Sequence, residues 1–310
     1  MKTHVFILTN INSGFATIPI HRDVVQMVEH AVRDREVAGS SPTIPTIYLY
    51  TILMQFSVLT YNTLLYDAQK GLNAIFKKYT PDIVCLQEMD TDEKNIEHIE
   101  KLGYDLADYS NGFIKFGTVY GVATFVRPNS GECINSKSIT LPRGLGEAIA
   151  FILRVFKTQK KDRTVLKTVF SLGKEKQKVM VYNIHLSAHG TNGIRIKQLE
   201  RTLSDIKKTN ETPTVLVGDF NYPFGRKKLE ELMIKNGFSE ATNNIQFTTD
   251  GKLLYYTFVE KILMKIFQFF MGKENKLDYV FYKNCKALST VRVDAATYSD
   301  HFPLITQFEV

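Results

Sequence analysis

Along residues 54–310 the apolar positions switch between two periods. The run Phe56-Ser57-Val58-Leu59-Thr60-Tyr61-Asn62 reads as a strand, and residues 68–79 then take up a helical period. Pro81 precedes a second apolar strand at 83–86, and residues 92–102 return to helical spacing. The middle is richer in strands, at 121–126, 164–171 and 179–186, the last two flanking a polar hairpin connection at 172–178. Residues 193–208 form an amphipathic pattern with Ile194, Leu199 and Leu203 on the apolar side. Strands at 214–218, 277–282 and 304–308 complete a single α/β domain without repeats or flexible linkers.

Two stretches depart from this pattern. Residues 253–271 are almost continuously apolar, and on a helix Val259, Ile262, Leu263, Ile266, Phe267 and Phe270 make one stripe. The stripe predicts a helix covering the domain's own core, with substrate or membrane-surface contact as the alternative use. Residues 1–53 show no sustained period of either kind. Back-translated, Val24-Val25-Gln26-Met27-Val28-Glu29-His30 and Gly39-Ser40-Ser41-Pro42 are compatible with the D-arm and T-arm of a transfer RNA gene. The expectation is a disordered extension, read through such a gene, with Met54 as the true start.

With 44% hydrophobic residues in 310, the chain can build a large core. A net charge of +7 and a pI near 9.1 favour anionic partners: nucleic acid, phosphorylated small molecules or anionic lipid. Cys85, Cys133 and Cys285 are odd in number and form no Cys-x-x-Cys pair, which argues against a disulfide framework or a zinc site. No run reaches the roughly 18 to 20 apolar residues of a membrane span, and no secretory core follows Lys2. A cytoplasmic monomer is expected.

The candidate chemistry sits at strand ends. In Val215-Leu216-Val217-Gly218-Asp219-Phe220-Asn221 an apolar strand delivers an acid and an amide. Extended backbone puts residues two apart on one face, so Asp219 and Asn221 are expected to project together while Phe220 turns inward. Asn62 ends the first strand, and Gln87-Glu88 ends Ile83-Val84-Cys85-Leu86. An acid at that point needs a partner, and Glu88 is a candidate ligand for a hard divalent ion. His185 closes Val181-Tyr182-Asn183-Ile184, on the face of Asn183. Asp278 lies in the apolar strand Leu277-Asp278-Tyr279-Val280-Phe281 and demands a counter-charge, which Ser299-Asp300-His301 supplies. Asp278 holding His301 in one tautomer, with Asp300 left for metal or water, satisfies all three.

In this order, Asn62, Gln87-Glu88, Asn183-x-His185, Gly218-Asp219-Phe220-Asn221, Leu277-Asp278-Tyr279 and Ser299-Asp300-His301 resemble the endonuclease/exonuclease/phosphatase superfamily over essentially residues 54–310. The resemblance implies a four-layered α/β/β/α sandwich, two packed mixed sheets flanked by helices, with the active site across the strand ends. It also implies that Glu88, helped by Asn62 and Asp300, binds Mg²⁺ or Mn²⁺ against a phosphate oxygen. Asp219 would then orient or deprotonate the attacking water, and Asn221 would hold water or phosphate. His185 and His301 would stabilise phosphoryl charge, with Asp278 orienting His301. Whether Asp219 or the Asp278–His301 pair is the base stays open. Position 185 is histidine, where the abasic-site enzymes resemble one another in having tyrosine, and Tyr61 stands where the repair branch often carries tryptophan, so DNA repair is disfavoured.

The expected activity is Mg²⁺-dependent hydrolysis of a phosphodiester, with nucleic acid as a candidate substrate. The basic runs at 157–163 and Arg226-Lys227-Lys228 favour it. A membrane-associated lipid or inositol phosphate hydrolase is the alternative, on the strength of residues 253–271. His189 and Arg195 receive no role beyond phosphate contact.

Overall fold

The computed structural model describes residues 5–11, 14–20, 54–65, 68–115, 117–144, 163–188, 190–209, 211–250, 274–294 and 298–310. It comprises two compact units, Met1–Leu53 and Met54–Val310. In the first, strands β1 (Val5–Ile11) and β2 (Gly14–Ile20) pair antiparallel, where the sequence predicted disorder. Their Val, Ile, Phe and Thr content favours extended backbone although neither run alternates cleanly.

The second unit contains two six-stranded sheets built on one plan. The first takes β3 (Gln55–Asn62), β4 (Ile83–Asp90), β5 (Asp105–Lys115), β6 (Thr118–Val126), β13 (Lys286–Arg292) and β14 (Leu304–Glu309) in the order β13-β14-β3-β4-β6-β5. The second takes β7 (Gly131–Thr140), β8 (Thr164–Leu172), β9 (Gln177–His185), β10 (Thr214–Asp219), β11 (Ser239–Glu240) and β12 (Asp278–Lys283) in the order β11-β12-β10-β9-β8-β7. In each sheet one central pair is parallel, β3 with β4 and β9 with β10, and every other pairing is antiparallel. A parallel pair brings two carboxyl ends to the same edge, so each sheet presents two strand ends side by side.

Side-chain parity distributes three apolar seams. Even positions of β3 and odd positions of β4, Phe56, Val58, Ile83 and Cys85, meet Val179, Val181, Val215, Val217 and Val280 of the other sheet. The opposite parity, Leu59, Tyr61, Val84 and Leu86, packs under helices α1 (Ala68–Phe76) and α2 (Glu93–Glu100) through Leu72, Ile75 and Ile99. On the far side Tyr182, Ile184, Leu216, Phe220, Tyr279 and Phe281 pack under α3 (Asn192–Ile206) and α4 (Arg226–Lys235) through Leu199, Leu203, Leu229 and Met233. The result is the four-layered sandwich that the sequence implied.

The sequence did not predict β5, β7, β11, β13 or α4. Register shifts break the period of β5 at Leu106/Asp108 and Asn111/Phe113. Strands β7 and β13 lie at or next to sheet edges with most positions exposed or half-exposed, so no apolar face marks them. The apolar stretch 253–271 lies outside the described residues. Among those described, no helix is long and apolar enough to cross a membrane.

Candidate active site

The seam between the sheets changes character as it approaches the strand ends. Valines and phenylalanines give way to Thr60, Gln87, Thr124 and Asn183, all buried. Gln87 Nε2 donates to Asn183 Oδ1 at 2.8 Å and to Thr60 Oγ1 at 3.1 Å. Asn183 Nδ2 donates in turn to the Leu86 and Ala123 carbonyls, at 3.1 and 2.9 Å. This layer ties the sheets together with its polar groups satisfied, as a buried network requires.

Closer to the strand ends, the predicted residues converge. Asn62, His185, Asp219, Asp278, Asp300 and His301 are all buried. The register sets Asp219 opposite His185 on one side and Asp278 on the other. Asn62 reaches across from the first sheet, its Nδ2 donating to Asp219 Oδ2 at 3.0 Å. His185 Nε2 lies 3.4 Å from Glu88 Oε1 and 3.7 Å from Asp219 Oδ2. His301 Nδ1 is 2.8 Å from Asp278 Oδ2, and its Nε2 points between Asp219 and Asp300, 3.9 Å from each. The pairing of Asp278 with His301 is therefore as the strand pattern required.

Two residues arrive by backbone irregularities. Strand parity would send Glu88 to the helix side with Val84 and Leu86. Instead β4 carries a register shift between Leu86 and Met89, and Glu88 adopts φ +50°. Met89 takes the vacated place in the helix-side core, and Glu88 turns toward His185. Asn221 corrects the sequence expectation: β10 ends at Asp219, and Asn221 joins it through a left-handed turn with φ +48°, not along an extended strand. Its backbone N–H and its Nδ2 both donate to the Asp219 carboxylate, at 2.8 and 2.9 Å. Leu64 and Leu65 also have positive φ, in the loop leaving Asn62, so unfavourable backbone gathers where the strands end. Gly218 completes the set at φ +133°, where a Cβ would stand 2.0 Å from the Ile184 carbonyl oxygen.

Burial raises Asp219 to about 7; the His301 charge opposes this, Asp278 and Glu88 add to it, and the Asn221 N–H opposes it. Burial pulls His301 down, but the charge and hydrogen bond of Asp278, with Asp300 and Asp219 adding, hold its imidazole well above the usual range. Buried carboxylates crowded beside an amide are oxygen donors of the kind a hard divalent cation takes. Glu88, Asn62 and Asp300 fit that chemistry. Among the described residues, no group of three or more His, Cys, Asp or Glu side chains stands at metal-holding distances. The Asn62 oxygen also accepts from the Leu64 N–H at 3.0 Å, which fixes its amide.

Supporting residues that the sequence left unassigned complete the arrangement. Ser299 Oγ donates to the Asn62 carbonyl at 2.7 Å and accepts from the His301 N–H at 3.1 Å. Thr248 Oγ1 accepts the Asp278 N–H at 3.0 Å. Asn183 was findable, as a buried amide two residues before His185 on one strand face; Thr248, thirty residues from its partner, was not. Arg195, expected at most to touch phosphate, instead holds the loop after His185 together with Gln198. Arg195 donates to the Ser187 and Ala188 carbonyls at 2.8 and 3.0 Å, and Gln198 bonds both the N–H and the hydroxyl of Ser187. His189 lies outside the described residues.

Comparison with known proteins fits this geometry. The fold is similar to the human nocturnin catalytic domain with bound sulfate, at 17% identity and a TM-score of 0.60, over 83% of this chain and 95% of that one. It is similar to D. rerio TDP2 complexed with a single-strand DNA product, at 16% identity and a TM-score of 0.57, over 83% and 99%. It is also similar to ANGEL2, a 2′,3′-cyclic phosphatase, in complex with adenosine-2′,3′-vanadate, at 16% identity and 0.60, over 87% and 99%. No curated protein matches the sequence. The model of the Endonuclease/Exonuclease/phosphatase family matches residues 59–301, from within the first strand of the sandwich to the histidine that Asp278 orients. The chain belongs to that family, and it is a hydrolase acting on phosphoric ester bonds.

Proposed function

We propose that the protein is a Mg²⁺- or Mn²⁺-dependent phosphodiesterase acting on nucleic acid. Enzymes of this family generally depend on a divalent metal. The observation that carries the reading is the convergence of His185 Nε2 and His301 Nε2 on one oxygen of Asp219, 3.7 and 3.9 Å away. Asp219 is the group that orients and deprotonates the attacking water, and a carboxylate raised to about 7 is matched to that task near neutral pH. Asn221 and Asn62 hold that carboxylate from two sides, which fixes the line of attack. His301, kept protonated by Asp278, and His185 stabilise the charge that develops on the phosphoryl oxygens. Glu88, with Asn62 and Asp300, would hold the divalent cation, which when bound supplies Lewis-acid polarisation of a phosphate oxygen.

The choice of nucleic acid is supported by the charge of +7 and by the DNA and adenosine ligands of two structural neighbours. The cytoplasm is the compartment we assign, in keeping with three unbridged cysteines. The protein should hydrolyse bis-p-nitrophenyl phosphate and single-stranded oligonucleotides with Mg²⁺ or Mn²⁺ and stop on chelation. Glu88→Gln should raise the metal concentration for half-maximal rate by at least about tenfold. Turnover that survives chelation would sink the metal assignment, and no hydrolysis of any diester would sink the reaction.

A further inference from the structure

The loop that leaves Asn221 carries an exposed aromatic ring on a backbone that is tied down. Among the phenylalanines whose burial is described, Phe224 alone is exposed, at 56%. A phenylalanine in water gains nothing for the fold, and a single one is unremarkable on its own. Its setting is different. Asn192 Nδ2 donates to the Phe224 carbonyl at 2.7 Å, and Asn192 Oδ1 accepts from Arg195 Nη1 at 2.8 Å. Arg195 is the same buried guanidinium that holds Ser187 and Ala188 after His185. One arginine thus braces both loops that flank the catalytic strand ends, and Tyr222 anchors the Phe224 loop into the helix-side core.

Three residues of chain reach at most about 10 Å, so the Phe224 backbone stays within that distance of the Asn221 backbone. Directly after it, α4 opens with Arg226, Lys227 and Lys228. Arg226 is committed to Glu230 and Glu240, but Lys227 and Lys228 are exposed, and among the described residues Lys227 pairs only with Glu231, at 3.9 Å across a solvated helix turn. An exposed ring followed by exposed cations is the pairing that single strands use: a face on which a base stacks and charges along which the phosphates run.

We infer that Phe224 is the base-stacking platform of this enzyme, with Lys227 and Lys228 contacting the adjoining phosphates of a single-stranded nucleic acid held across the strand ends. The inference rests on the phosphodiesterase reading above and names its substrate class. Stacking on a rigid ring fixes the nucleotide beside the scissile phosphate without reading its sequence, so the enzyme tolerates any base there.

The test measures affinity apart from turnover. A fluorescent single-stranded DNA oligonucleotide is titrated by anisotropy against the full-length Asp219→Asn protein, with and without Phe224→Ala. Loss of one stacked base should weaken Kd by about 5- to 150-fold, and Phe224→Trp should restore it. Lys227→Gln with Lys228→Gln should weaken Kd and flatten its salt dependence. Equal Kd with and without the ring overturns the inference even if diesters are hydrolysed. Failure of the wild-type protein to hydrolyse any diester overturns the functional reading while the Kd comparison still judges Phe224. Unchanged oligonucleotide Kd together with lost binding to phosphatidylserine vesicles would assign the ring to a membrane and overturn the inference as well.

Discussion

The two sheets share one plan and contribute to the site by different means. In the second sheet the functional residues follow from regular strands: His185 and Asp219 close a parallel pair in register, and Asp278 opposes Asp219 on the antiparallel neighbour. In the first sheet Asn62 follows from parity, but Glu88 reaches the site only because β4 slips its register and takes φ +50°. His185, Asp219 and Asp278 thus stand on strands paired without a break in register. The candidate metal carboxylate stands on a bulge, a feature that re-aims one side chain at the cost of local strain.

The largest effect should come from removing a proposed acid or base group. Asp219→Ala or His301→Ala should each lower the rate by about 10² to 10⁴, measured as p-nitrophenol release at saturating metal, and wild-type-like turnover would remove either from the mechanism. Gly218→Ala strikes the backbone of the same strand. Its Cβ would collide with the Ile184 carbonyl, so a loss of about 3 kcal/mol or more is expected in denaturant unfolding, and a near-neutral result would contradict the close approach of β9 and β10.

Asn183→Leu tests the joint between the sheets. It leaves Gln87 and the Leu86 and Ala123 carbonyls without their partner, which should cost about 2 to 3 kcal/mol of stability by urea midpoint. The smallest effect is expected at the opposite end of the first sheet, where Asp82 accepts from Ser57, Arg127 and Ser130. Burial raises Asp82, but the Ser130, Arg127 and Ser57 hydrogen bonds together hold it below the usual 3.8. Its contribution is therefore complete above the unfolded-chain value and is lost as pH falls through the lower folded value. Asp82→Asn should cost about 1 to 2 kcal/mol at neutral pH and flatten the acid limb of stability, and an unchanged acid limb would rule that linkage out.

Strand periods, the polar residues that interrupt them, and parity along each strand are all legible in the amino-acid sequence. They place Asn62, His185, Asp219 and Asp278 at strand ends on one face, because side-chain direction in a strand is a local property with a period of two. Pairing Asp278 with His301 is legible too, since a buried charge demands a partner and the chain offers one.

The turns that redirect Glu88 and Asn221, the hydroxyls of Thr248 and Ser299 that hold Asp278 and His301, and the Arg195 brace that presents Phe224 were decided only by the tertiary structure. A positive φ at a non-glycine residue leaves no mark in the sequence, because it is strained locally and is held by contacts from elsewhere in the chain. The sequence thus determined which polar side chains stand at the strand ends. How those ends face one another across the seam, and which loop offers a ring beside them, depends on packing between segments far apart in the chain, which no local pattern encodes.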